Sequence, residues 1–80
     1  MLNSNVVSFE NITNGGLHVA ELAEQAGVTA ATIRYYSRSG LLHASRDPHH
    51  GYRYFSPADV ERVQFIRQSQ KLGLKIAEIR

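Results

Sequence analysis

Residues 27–40 read GVTAATIRYYSRSG, and the punctuation of this stretch decides the fold. Thr29 is a good helix N-cap, because its hydroxyl can accept from a free backbone N–H two or three residues on. The helix it opens is predicted to run to about Ser39, where Gly40 closes it in a left-handed turn. At about 100° per residue, Ile33 and Tyr36 lie on one side, whereas Ala31, Arg34, Tyr35 and Arg38 gather on the opposite side. Small residues at the start of that outward face let the backbone approach base edges. The arginines and a tyrosine hydroxyl further along can reach phosphate oxygens on the groove walls. The plainer alternative has Tyr35 packed on a neighbouring element and the arginines solvated.

Upstream, Val19, Leu22, Ala23 and Ala26 follow the i, i+3, i+4, i+7 spacing of one buried helix face, starting near Leu17. Gly27 stops that helix and Val28 drops back toward the core. A helix, a tight turn holding glycine and a second short helix have the spacing of a helix-turn-helix. Residues 1–16 are rich in Asn, Ser and Gly without a sustained period, and read as a mobile tail.

Downstream, Leu41-Leu42 returns to the core and HASRDPHHGYRYF (residues 43–55) reads as a hairpin. Asp47-Pro48 and Gly51 are turn residues, and the aromatic alternation of Tyr52 to Phe55 is that of a short strand. A two-stranded hairpin is not stable alone, so it must lean on the helices, with Arg46, His49, His50 and Arg53 near its projecting end or edge. A basic hairpin beside a helix-turn-helix is a wing, suited to the DNA backbone or the minor groove. The fold class expected is therefore mainly α, a winged helix-turn-helix with a short two-stranded β-hairpin. Ser56-Pro57-Ala58-Asp59 opens a further helix, with Ser56 as N-cap, predicted to reach Leu72 and stop at Gly73. Val60, Val63 and Ile66 form its inward stripe, while Phe65 and Leu72 mark a second stripe that needs a cover. That cover is either Ile76 and Ile79, from the opening turns of a fourth helix, or a partner subunit; the first is the expectation.

Eighty residues make one small domain that buries only roughly 60% of its unfolded surface. The absence of cysteine excludes a disulfide framework and a thiolate zinc site, and fits a cytosolic chain. A hydrophobic content of 42% is too high for a disordered chain. No apolar run approaches the ~20 residues of a membrane span, and the N-terminus is not that of a signal peptide. The net charge of +2 says less than its distribution. Residues 17–33 carry Glu21 and Glu24 and no Lys or Arg. Residues 34–53 carry Arg34, Arg38, Arg46 and Arg53 against Asp47, and also His43, His49 and His50. This is the footprint of a surface that meets phosphate. The adjacent histidines of the turn point apart, so they are read as partly protonated donors near phosphate and not as a metal site. No nucleophile constellation, Gly-rich phosphate loop or paired carboxylates appear, so neither catalysis nor a cofactor is expected.

The segments Val19-Ala20-Glu21-Leu22-Ala23, Gly27-Val28, Thr32-Ile33-Arg34-Tyr35-Tyr36, Gly40-Leu41-Leu42, Arg46, Gly51-Tyr52-Arg53-Tyr54-Phe55, Asp59-Val60 and Leu72-Gly73 have a recognisable order. Over residues 17–80 they resemble the DNA-binding domain of the MerR family of bacterial transcription regulators. The resemblance implies a winged helix-turn-helix that works as a homodimer on double-stranded promoter DNA. The site is a pseudo-palindromic element between two overlong-spaced promoter boxes. Bending and untwisting that DNA lets RNA polymerase engage both boxes, so polymerase is reached through the DNA. The resemblance makes residues 29–38 the recognition helix, with Thr32 near bases, Arg34, Tyr35 and Tyr36 on the groove walls and Arg53 on phosphate. The candidate DNA-binding set is then Thr29, Ala31, Thr32, Arg34, Tyr35, Tyr36, Arg38, Arg46, His49, His50, Tyr52 and Arg53. The helical wheel turns Tyr36 inward, and a tyrosine can bury its ring while its hydroxyl reaches out. Two departures stand out: Ser37 occupies a position commonly acidic in the family, and the dimerisation helix and sensing segment typical of the family are not in the sequence. The chain thus reads as a fragment of a longer regulator. Alternatives are an excisionase-like DNA-bending protein and a protein-docking module acting through Phe65 and Leu72.

Overall fold

Leu17 and Phe55 are joined by two backbone hydrogen bonds, Leu17 N–H to the Phe55 carbonyl at 2.8 Å and the reverse at 2.7 Å. This bridge ties the entry of the first helix to the exit of the hairpin. The computed structural model describes residues 16–79; the tail expected over residues 1–16 lies outside them except for Gly16. Helix α1, Val19–Ala26, is opened by the His18 backbone N–H, which donates to Glu21 Oε1 at 2.8 Å. It closes at Gly27, whose φ of 77° lets Val28 N–H turn back to the Ala23 carbonyl at 2.9 Å. Helix α2, Ala30–Arg38, has Thr29 as N-cap, with Thr29 Oγ1 accepting from Thr32 N–H at 3.1 Å. It ends one residue before the expected Ser39, and Gly40 at φ 83° allows Leu41 N–H to reach the Tyr36 carbonyl at 2.9 Å.

Strands β1, Ser45–Arg46, and β2, Arg53–Tyr54, pair antiparallel, with Ser45 opposite Tyr54 and Arg46 opposite Arg53. Their turn is closed by Asp47 N–H on the Tyr52 carbonyl at 2.9 Å and Gly51 N–H on the Asp47 carbonyl at 2.8 Å. Ser56 caps the turn that leads into the third helix: its carbonyl accepts from Asp59 N–H at 2.9 Å and its Oγ from Ala58 N–H at 3.1 Å. Regular helix begins only after this tight turn, so α3 runs Asp59–Lys71, succeeded by the four-residue α4, Ile76–Ile79.

The core is one cluster in which Leu22, Ile33, Leu42, Phe55, Val63 and Ile66 are fully buried, joined by Ala23, Ala26, Tyr36 and Leu41. The apolar faces of α1, α2 and α3 meet Leu41, Leu42 and Phe55 from the segments flanking the strands, so the small core fixes the three helices and the wing root against one another. The expected cover for the second stripe of α3 is not found. Phe65 is 63% exposed and Leu72 75%. Ile76 and Ile79 pack on the main cluster instead, because the turn at Gly73 sends α4 back along α3. Ile79 thereby comes beside Gly40, Leu41, Ser56, Asp59 and Arg62.

Candidate nucleic-acid interface

Helix α2 buries Ile33 and Tyr36 and turns Ala31, Arg34, Tyr35 and Arg38 to solvent, Tyr35 being 45% exposed. Thr29 and Thr32 stand at its start with their hydroxyls 3.0 Å apart. The wing adds Arg46 and Arg53 as direct cross-strand neighbours. Between the starts of α1 and α2 and the wing lies a groove of 680 Å³, into which Arg34, Arg46 and Arg53 converge beside His18 and Tyr52. Among the described residues no Asp or Glu lines it. Like charges directly opposite in a ladder destabilise it, so the Arg46–Arg53 pair is an arrangement that an anion relieves. Arg46 is held in place by donating through Nη1 to the Gly51 carbonyl.

The wing tip is built around Asp47, whose carboxylate is buried and accepts from the His50 backbone N–H at 2.9 Å and meets His50 Nδ1 at 2.5 Å. The ring of His50 stacks on Tyr52 at 5.8 Å, and Tyr52 meets His18 edge-on at 4.9 Å. His49 is exposed, its ring 6.4 Å from that of His50 and inclined at 70°. Burial pushes the Asp47 carboxyl up, but the His50 ring and the backbone N–H groups of His50 and His49 outweigh it and leave the carboxyl below its ordinary value. A lowered folded pKa adds stability above the unfolded carboxylate value of about 3.9, and that stability is lost as pH falls through the folded value. Protection of the His49, His50 and Gly51 amides, measured against their intrinsic exchange rates, is therefore expected to fall in acid before that of the core, and Asp47→Asn to remove that pH dependence. Uniform opening of core and wing together would contradict this.

Tyr36 is placed differently from the other residues expected on the groove walls. Its ring is 2% exposed and its hydroxyl donates to Gln70 Oε1 at 2.7 Å, so the proton the resemblance assigns to phosphate is already engaged. Burial raises this phenol above its ordinary value, with Arg67 opposing and Tyr35 adding. Sequence reasoning also passed over Arg67, which donates through Nη1 to the Gly27 carbonyl at 3.1 Å. With Thr29, Thr32, Tyr35, Tyr36 and Gln70 it lines a second groove of 610 Å³. The available signal was the Arg67 and Lys71 pair at i, i+4 on a helix read only for its apolar stripe.

Residues 17–80 match the model of the MerR HTH family regulatory protein. The chain belongs to the MerR family. Its relatives in that family include the mercuric resistance operon regulatory protein of Bacillus cereus, 43% identical over 61 residues, which are 76% of this chain and 46% of that protein. The protein of the same description from Shigella flexneri is 40% identical over 72 residues, 90% of this chain and 46% of its own length. The HTH-type transcriptional regulator ZntR of Escherichia coli strain K12 is 36% identical over 62 residues, 78% of this chain and 44% of its own. The chain thus spans less than half the length of these curated MerR-family relatives. A crystal structure of HiNmlR, a MerR family regulator lacking the sensor domain and bound to promoter DNA, is similar with a TM-score of 0.70 and 29% identity. The similarity covers 80% of this chain and 51% of that one. The mainly helical fold with its two-stranded hairpin is that of a MerR-type winged helix-turn-helix.

Proposed function

We propose that the chain is the DNA-binding part of a MerR-type transcription regulator and grips duplex promoter DNA between α2 and the wing. The observation that carries this reading is the convergence of Arg34, Arg46 and Arg53 in one groove that no carboxylate among the described residues lines. No described residue of that groove neutralises the guanidinium groups, and the repeating charge of a duplex backbone does. Phosphate contacts from Arg34, Arg38, Arg46 and Arg53 set the register, while Thr32 and the small start of α2 face base edges. Tyr36 acts from within, holding α2 on α3 through Gln70. The relatives named as transcription regulators, and the promoter DNA bound to HiNmlR, support the assignment.

The partner set belongs to the same reading: a pseudo-palindromic promoter element, a second copy of the protein, and RNA polymerase engaged through DNA that the dimer bends and untwists. The surface of α3 bearing Phe65 and Leu72 is assigned to the partner subunit, since nothing within the described residues covers it. Two copies on one DNA face place their recognition helices about 34 Å apart or a multiple of that. The function is non-enzymatic and its setting cytoplasmic; no helix among the described residues is long and apolar enough to cross a membrane.

The test is fluorescence anisotropy of a labelled promoter duplex against salt concentration. Log affinity is expected to fall linearly with log salt, with a slope of about −0.9 for each phosphate neutralised. Affinity independent of salt would sink the reading.

A further inference from the structure

Ser37 sits in the last turn of α2 at the junction of the helix with the wing. Its side-chain oxygen is buried and has no hydrogen-bond partner among the described residues. It lines a groove of 300 Å³ together with Leu42, His43, Ser45, Arg46 and Arg53. A buried hydroxyl without a partner costs stability, so a hydrogen bond within the described residues is not what serine supplies here. What the position does have is proximity to both wing arginines. Arg46 is tied to the Gly51 carbonyl, and Arg53 makes no side-chain hydrogen bond among the described residues. The carboxylate nearest in sequence, Asp47, is turned to His50. Among the described residues the groove therefore holds two arginines, an uncharged helix residue and no acid.

We propose that Ser37 is an affinity-determining residue of the DNA interface, acting by being neutral at the point where an acidic side chain would neutralise Arg46 and Arg53. Position 37 works as a charge valve for the wing. A carboxylate there pairs with the arginines in the free protein, and a duplex phosphate must then compete with it; serine leaves both guanidinium groups to the phosphates. This rests on the DNA-binding reading, and the thermal measurement below separates the two, because it needs no DNA.

Ser37→Glu is expected to lower duplex affinity at least tenfold and to make the salt slope shallower by about one to two units. In the absence of DNA it should raise the unfolding midpoint by about 2–5 °C, the effect of an added partly exposed ion pair in a domain of this size. Ser37→Gln, of matching size and no charge, should bind within about twofold of the parent. In an Arg53→Ala background, the loss caused by Ser37→Glu should shrink by at least threefold. Should Ser37→Glu fail to fold, the parent protein still decides the matter. Its Arg53 side-chain N–H signal is expected to be broadened by solvent exchange in the free chain and to sharpen on adding duplex. An unchanged salt slope in folded Ser37→Glu, an equal loss in Ser37→Gln, or an Arg53 signal already sharp without DNA would each overturn the proposal. Absence of any duplex binding by the parent, with the thermal gain present, would instead remove the DNA reading while the pairing stands.

Discussion

An Arg34→Ala, Arg53→Ala double variant is expected to keep its fold and lose about a hundredfold in duplex affinity, the log–log salt slope becoming shallower by about two units. Each guanidinium–phosphate hydrogen bond is worth about 1.5 kcal/mol, which is roughly tenfold in binding, and each contact removed takes about 0.9 from the slope. Both side chains are exposed, so stability should change by no more than about 0.5 kcal/mol. Loss of Arg53 also relieves its repulsion with Arg46 across the ladder, which acts in the stabilising direction. Affinity and stability thus move independently. Arg53 contacts carry no base information, so its share of the loss should be equal on promoter and unrelated duplexes. Anisotropy at several salt concentrations, beside urea unfolding of the same samples, reads both quantities. A slope unchanged in the double variant would place the bound duplex elsewhere on the molecule.

The largest effect on folding is expected from Phe55→Ala. The ring is 2% exposed at the centre of the cluster, and truncating such a residue costs about 3–5 kcal/mol. A domain of this size rarely has more than about 3–5 kcal/mol to lose. The variant should be largely unfolded at room temperature, with its helical circular dichroism and duplex binding lost together. Phe65→Ala supplies the contrast: that ring is mostly in water and its removal should leave unfolding of the isolated chain nearly unchanged. A cooperative Phe55→Ala variant within about 1 kcal/mol of the parent would mean that the wing root is not part of the core.

What could be read from the sequence was what local chemistry determines. Thr29, Gly27 and Gly40 mark the ends of α1 and α2 because caps act within a few residues. The side of α2 that carries Ile33 and Tyr36 is set by periodicity. What the sequence left unread concerns partners distant in the chain or competing nearby groups. Tyr36 and Gln70 meet across α2 and α3, and Arg67 meets the Gly27 carbonyl, through packing that no window of sequence contains. Ile76 and Ile79 have the right spacing to cover a stripe on α3, but the turn at Gly73 decides which face they reach. His50 reads as a free donor until the fold buries Asp47 beside it. The same gap hid the position of Ser37, a residue whose type carries little information until Arg46 and Arg53 are placed next to it.

The paired backbone bonds between Leu17 and Phe55 fasten the root of the wing to the entry of α1, and the shared core fastens α1 to α2. Reading head and finger are therefore the jaws of a caliper with a preset gap. A duplex whose strands do not match that opening has to yield, since the jaws are braced by hydrogen bonds and buried rings. On the DNA-binding function proposed above, selectivity then includes the mechanical compliance of the base-pair steps between the jaws, even where no side chain touches them.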